Sequence, residues 1–176
     1  MNRWLLRPRV LAVLACATFA CILLYQLPWS PAASAHFTAH TGQPPFDERP
    51  AGYSLSGVLR DFRRLGAEGL QDYRAYRVLD LLFPWLLCAL VAGVMLRLEA
   101  ARATMWAWLA ALADSAENAA LWAMYLTRDD LSPRLVPVAS FLTQLKFFLY
   151  AAMLLMLLAV GVRFVLRERR RARMAE

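Results

Sequence analysis

Only one of the twenty basic residues in this 176-residue chain is a lysine, and that residue, Lys146, stands inside the apolar run from Val136 to Val162. An ammonium group at the centre of a membrane helix costs about 2.5–3.5 kcal/mol on insertion scales, so it calls for a partner and a purpose. The preceding apolar run offers one, because it carries Asp114, Glu117 and Asn118 in the stretch ADSAENAALW. At 100° per residue these three side chains share one helix face, and Thr143, Lys146 and Tyr150 share a face of the following helix, from which Gln144 points away. Counted inward from the short turn between the two runs, Glu117 and Lys146 both lie roughly 15 Å deep. Antiparallel neighbours therefore place Glu117 or Asp114 level with Lys146, with Tyr150 slightly deeper beside Asp114. A dry acid–lysine site of this kind suits binding of a small or lipid-like ligand, or proton relay. If a lipid were a substrate, a carboxylate would act as general base and Lys146 as electrostatic stabiliser, but the spacing alone specifies no reaction. The competing use is structural: in an assembly subunit of a membrane complex, the same groups fix helix register and packing. Ala107, Ala111, Ser115, Ala119 and Ala123, recurring every fourth residue, permit the close helix approach that such a role needs.

A further acid, Asp80, belongs either to this site or to the membrane boundary beside Arg77 and Arg74. Pro84, one turn on, removes a backbone hydrogen bond and loosens the helix there. Asp80, Asp114 and Glu117 oppose only Lys146 within the apolar runs. Full ionisation would leave two unbalanced negatives in a poorly solvated place. A retained proton, an arginine from the adjoining loop, a cation or a cationic ligand is needed to balance them.

The composition is 60% hydrophobic with a mean hydropathy of +0.42, which excludes an ordinary soluble domain. Four runs are long enough to cross about 30 Å of hydrocarbon: 10–27, 78–96, 103–126 and 136–162. The expected fold is an all-α membrane protein, a four-transmembrane-helix bundle forming a single membrane domain over 1–176. Arg3, Arg7 and Arg9 precede the first run, Arg97 and Arg102 flank the turn between the second and third, and a basic tail at 163–176 follows the fourth. Placing these segments on one side puts both termini in the cytoplasm, with the loop at 28–77 outside. That loop has six arginines of its own, nearly balanced by Asp47, Glu48, Asp61, Glu68 and Asp72. In a rival reading the first run is a signal peptide cleaved after Ala33-Ser34-Ala35, which would leave three spans. The preference for arginine and the abundance of Ala and Leu point to a GC-rich genome and a bacterial cytoplasmic (inner) membrane.

Within the outside loop, 28–52 is rich in Pro, Ala, Ser and Gly and reads as a flexible or loosely docked connector. Leu55, Val58, Leu59, Phe62 and Leu65 then recur at helical spacing, predicting a short amphipathic helix at about 55–66 with Arg60, Asp61, Arg63 and Arg64 on the opposite face. Ser54 or Ser56 caps its start; Gly66 and Gly69 end it. It packs over the mouths of the spans in preference to lying in the interface. His36 and His40 are spaced like helical metal ligands, but between Pro31 and Gly42 they read as a solvated pair. Cys16, Cys21 and Cys88 fall in the apolar runs as packing residues, without a disulfide framework. Trp85, Trp106, Trp108 and Trp122 read as interface anchors and packing aromatics. The arginine-rich tail is a topology determinant and, secondarily, an anionic-lipid contact. The chain has no phosphate-cradling glycine loop, HExxH motif or Cys/His metal spacing, so no cofactor, metal or nucleic acid is expected. The expected partners are the lipid bilayer and a small-molecule or lipid ligand; another membrane protein or another copy of the chain is a further candidate.

The stretches YRVLDLLFPWLL, ADSAENAALW and FLTQLKFFLY together resemble a group of small bacterial four-span membrane proteins that share D-x-x-F-P, A-D-x-x-E-N and F-T-x-x-K stretches. The resemblance covers Leu70 to about Val160. It implies no activity, only that Asp80, Phe83, Pro84, Asp114, Glu117, Asn118, Thr143 and Lys146 belong to one pattern. Leu142, between Phe141 and Thr143, departs from it.

Overall fold

The computed structural model describes residues 3–174; the last two residues of the basic tail lie outside them. Among the described residues the chain is all-helical, with six α-helices: α1 (Pro8–Gln26), α2 (Ser34–Thr41), α3 (Leu55–Asp80), α4 (Phe83–Arg97), α5 (Thr104–Leu126) and α6 (Leu135–Met174). Helices α4, α5 and α6 pack in sequence order, and α1 lies on the flank against α4. Arg97 ties the ends of that pair by donating from Nε and Nη2 to the Leu6 carbonyl, at 3.1 and 2.8 Å.

Three stretches are long and apolar enough to cross a membrane: Pro8–Gln26, Leu55–Arg97 and Leu135–Met174. The expected third span, α5, has 23 residues, ample for a crossing, yet it is not among them. Its run of Asp114, Ser115, Glu117 and Asn118 lowers its apolarity, and Asp114, Glu117 and Asn118 are buried against neighbouring helices. The second expected span is broken. α3 continues to Asp80, a turn at Leu81 and Leu82 intervenes, and α4 begins afresh at Phe83. Pro84, expected to loosen a continuous helix, sits in the first turn of the new one, where a missing N–H costs nothing. With 15 residues, α4 alone spans only about 22 Å.

The segment before α3 corrects the expectation of a loose connector. It forms α2 and a 3-10 turn at Phe46–Glu48. Phe37 and Phe46 are buried with Val58, Phe62, Leu65 and Tyr73. Full burial of each such aromatic contributes about 1.5–3 kcal/mol, and Arg49 adds an ion pair to Asp61 at 2.9 Å. Few anchors order this segment because the Phe37 and Phe46 rings are almost completely enclosed. Asp61, expected on a solvated face, is buried between Arg49 and Arg60. His36 and His40 lie on a helix after all; His36 bonds the Pro28 carbonyl and stands 3.5 Å from Asp72.

The amphipathic helix starts as expected, with Ser54 Oγ accepting from the Gly57 N–H at 3.2 Å, but it does not end at Gly66. There the backbone takes φ 60°, ψ −166° and resumes as helix, a conformation open essentially to glycine alone. The bend lays Val58, Phe62 and Leu65 over the adjoining ends of α5 and α6, against Leu121, Met124, Val136 and Ala139. It also carries Tyr73, Tyr76 and Arg77 inward.

Candidate functional site

Arg77 is the hub of the buried polar groups. Its side chain has no exposed surface, and its Nη1 lies 2.9 Å from Asp80 Oδ2 and 3.3 Å from Asp47 Oδ1. Its Nη2 donates to Asn118 Oδ1. Asn118 in turn donates to Asp114 Oδ1 at 3.0 Å and to the Asp80 carbonyl at 3.1 Å. That carbonyl is the one whose helical partner would be the N–H of residue 84, and proline has none. The break between α3 and α4 therefore exposes an acceptor, and Asn118 on α5 fills it. Asp114 Oδ2 accepts from the Tyr150 hydroxyl at 2.8 Å, and Asp80 Oδ1 from Tyr25 at 3.1 Å.

A second set adjoins the first. Lys146 Nζ lies 2.5 Å from Glu117 Oε2, with both side chains nearly or fully buried. Thr143 donates to Glu117 Oε1 at 2.5 Å and shares a 3.3 Å hydrogen bond with Tyr53. The structure thus brings Asp80, Asp114 and Asn118 together through Arg77, and Glu117 and Thr143 together around Lys146. Tyr150 contacts the first set. Lys146 is matched by Glu117, one turn from Asp114.

Arg77, Asp47, Glu48, Tyr76, Tyr25 and Tyr53 were not recognised as site members from the sequence. Arg77 had a signal, since it precedes Asp80 by three residues on the same helix face. Asp47 and Glu48 had none, because their contacts to Tyr76, at 2.6 and 3.1 Å, reach across a fold that only long-range packing defines. Tyr76 donates toward both carboxyl groups and lies nearer Asp47. Burial together with the neighbouring Asp47 carboxyl pushes Glu48 above its usual range, and the Tyr76 hydrogen bond opposes that shift.

These groups border an open cleft of about 270 Å³ between α1 and α6. Asp47, Glu48, Asp80 and Asp114 line it with Lys146; Tyr25 and Tyr150 stand on its sides. Within the cluster, the carboxyl groups of Asp47, Glu48, Asp80, Asp114 and Glu117 face only Arg77 and Lys146 as cations. The loop supplies the arginine that the charge count required, together with two more acids.

No family model, curated protein or solved structure matches this chain. Its chemistry is read from the cleft. Toward the ends of the helices where the chain termini emerge, the cleft gives way to apolar packing of Val91, Met95, Ala107, Ala111 and Met153. On α6, Tyr150 is thirteen residues from Arg163, the next ionisable side chain, a separation of roughly 20 Å.

Proposed function

We propose that this is a multi-pass membrane protein whose acidic cleft, in the half of the bundle capped by α2 and α3, binds a small or lipid-like ligand. In this reading α1, α4 with the end of α3, α5 and α6 cross the bilayer as four spans. Both termini are cytoplasmic, and the membrane is the bacterial inner membrane. The pattern shared with small bacterial four-span proteins supports it: Phe83 borders the cleft, and Asp80, Asp114, Glu117, Asn118, Thr143 and Lys146 meet in the adjoining network.

The observation that carries the reading is the cleft's lining, with four carboxyl side chains and one lysine around an open space in the membrane half nearest the cap. Buried charges in excess of their partners are costly and mark working sites in membrane helices. Through-membrane proton relay, the other use of such a cluster, would have to cross the apolar packing beyond Tyr150. A site open to one side fits better. Lys146 forms the floor: its ammonium has three donors, and Glu117 is its one ion-pair partner among the described residues. Asn118 is instead a positioning residue, because both of its amide protons and its oxygen are used within the protein. That saturation is the feature favouring helix-locking, the role of an assembly subunit.

Native mass spectrometry of the full chain released from its own membrane tests the proposal. The expected result is a stoichiometric bound molecule in the parent that is absent from the Glu117→Gln, Lys146→Met double variant, with the two proteins melting at similar temperatures. A parent without such a molecule, or a double variant that retains it, would overturn the reading.

A further inference from the structure

The cleft opens sideways. α1 packs along α4 but not extensively against α6, leaving Ile22 and Gln26 on one lip and Phe147 on the other. Both lips continue as apolar helix surface. Phe19, one turn from Ile22 on α1, and Leu154, one turn from Tyr150 on α6, are exposed. In a bilayer, surfaces of this kind meet acyl chains. At roughly 30 Å³ per water, the cleft's volume of about 270 Å³ has room for about nine waters. That suffices for a polar head group and its first few carbons, but not for a whole hydrocarbon chain.

The lining selects the head group. A phosphate or sulfate ester would meet four carboxyl side chains, and an uncharged alcohol would leave the cluster's excess of carboxyl groups over Arg77 and Lys146 unbalanced. A compact ammonium meets both demands, since it carries positive charge and three donors for carboxyl oxygens. Glu48, at the mouth, keeps one carboxyl oxygen outside its contact with Tyr76. Among the described residues no three acidic, histidine or cysteine side chains are grouped to hold a metal ion, so an organic cation fits the lining better.

We infer that the cleft is a lateral binding site for a single-chain amphiphile with a primary ammonium head group. The head sits among Asp47, Glu48, Asp80 and Asp114, and the chain leaves between α1 and α6 into the bilayer. This inference rests on the ligand-binding reading above and names its ligand class.

Titration of the full chain in a non-ionic detergent, followed by native mass spectrometry, tests it with dodecylamine, dodecanol and propylamine as probes. Saturable one-to-one binding of dodecylamine is expected, with dodecanol and propylamine each at least about tenfold weaker. Glu48→Gln removes a charge at the mouth, and Ile22→Trp fills the lateral opening; each should weaken dodecylamine binding about tenfold. Melting curves establish that both variants are folded, and Glu48→Gln stands alone if Ile22→Trp is not. Dodecanol binding as tightly as dodecylamine would overturn the ammonium assignment. Propylamine binding as tightly would overturn lateral entry while leaving an acidic ligand cleft intact. No binding of any probe would overturn the inference, whereas a co-purified molecule of another class would leave the broader ligand-binding reading standing.

Discussion

Lys146 and Glu117 form a close ion pair whose loss is asymmetric. Lys146→Met leaves a fully buried carboxylate without its cation, and breaking one side of such a pair costs about 3–5 kcal/mol. Adding Glu117→Gln removes the stranded charge, so the double variant should recover most of that loss in thermal melting in detergent. Arg77→Met is expected to be more damaging, because Asp47, Asp80 and Asn118 all lose the same guanidinium. Glu48 has the opposite sign. Burial and Asp47 hold its carboxyl above the usual range; Asp80 adds to that effect, while the Tyr76 hydrogen bond and Lys146 oppose it. A folded value raised above the unfolded one contributes stability that is fully present below about pH 4.3, the unfolded value, and is lost as pH rises through the folded value. Melting temperatures across pH should therefore show Glu48→Gln more stable than the parent near neutrality and equal to it in acid. A parent that gains stability over the variant as pH rises would contradict the assignment. The facing of Lys146 and Glu117 was legible in the sequence, since depth along two antiparallel runs fixes it. The partners of Asp47 were not, because nothing local marks a carboxyl that reaches Tyr76 across 29 positions.

Helical periodicity announced the amphipathic part of α3, and its apolar face settles on the ends of α5 and α6 as expected. Periodicity could not show that the helix would survive Gly66, because a glycine serves equally as a stop and as a bend. Nothing lies within 4 Å of a Cβ built at Gly66, so Gly66→Ala probes the backbone alone. It should cost about 1–3 kcal/mol, read as a lowered melting temperature. If the alanine variant melts with the parent, the bend is not a constraint on the fold. The break at Leu81 and Leu82 was half visible. Pro84 signalled a lost hydrogen bond, but the group that answers the freed Asp80 carbonyl is Asn118, on another helix. The order in the segment before α3 was hidden for a different reason: composition averages over residues, whereas Phe37 and Phe46 are enclosed individually.

At the scale of the whole molecule, the arrangement of polar and apolar layers decides how far a proton could travel. Near the cap, hydrogen bonds run from Glu48 through Tyr76 to Asp47 and from Arg77 through Asn118 to Asp114 and Tyr150, and an ion pair between Asp47 and Arg77 joins the two runs. Beyond Tyr150 the links stop. Val91, Met95, Ala107, Ala111 and Met153 fill the space, and the next ionisable side chain along α6, Arg163, is roughly 20 Å away. A charge crossing hydrocarbon without a relay meets a barrier of several kcal/mol at least. The protein reconstituted in liposomes should consequently dissipate an imposed pH gradient no faster than the lipid alone, measured with an entrapped pH-sensitive dye. Introducing an acid into the apolar layer, as in Met153→Asp, would not by itself open a path, since position 153 lies only one turn beyond Tyr150 and about three turns still separate it from Arg163. Flux above the lipid background from the unmodified chain would mean that the apolar layer admits water, and the cleft would then be one half of a conduit instead of a closed binding site.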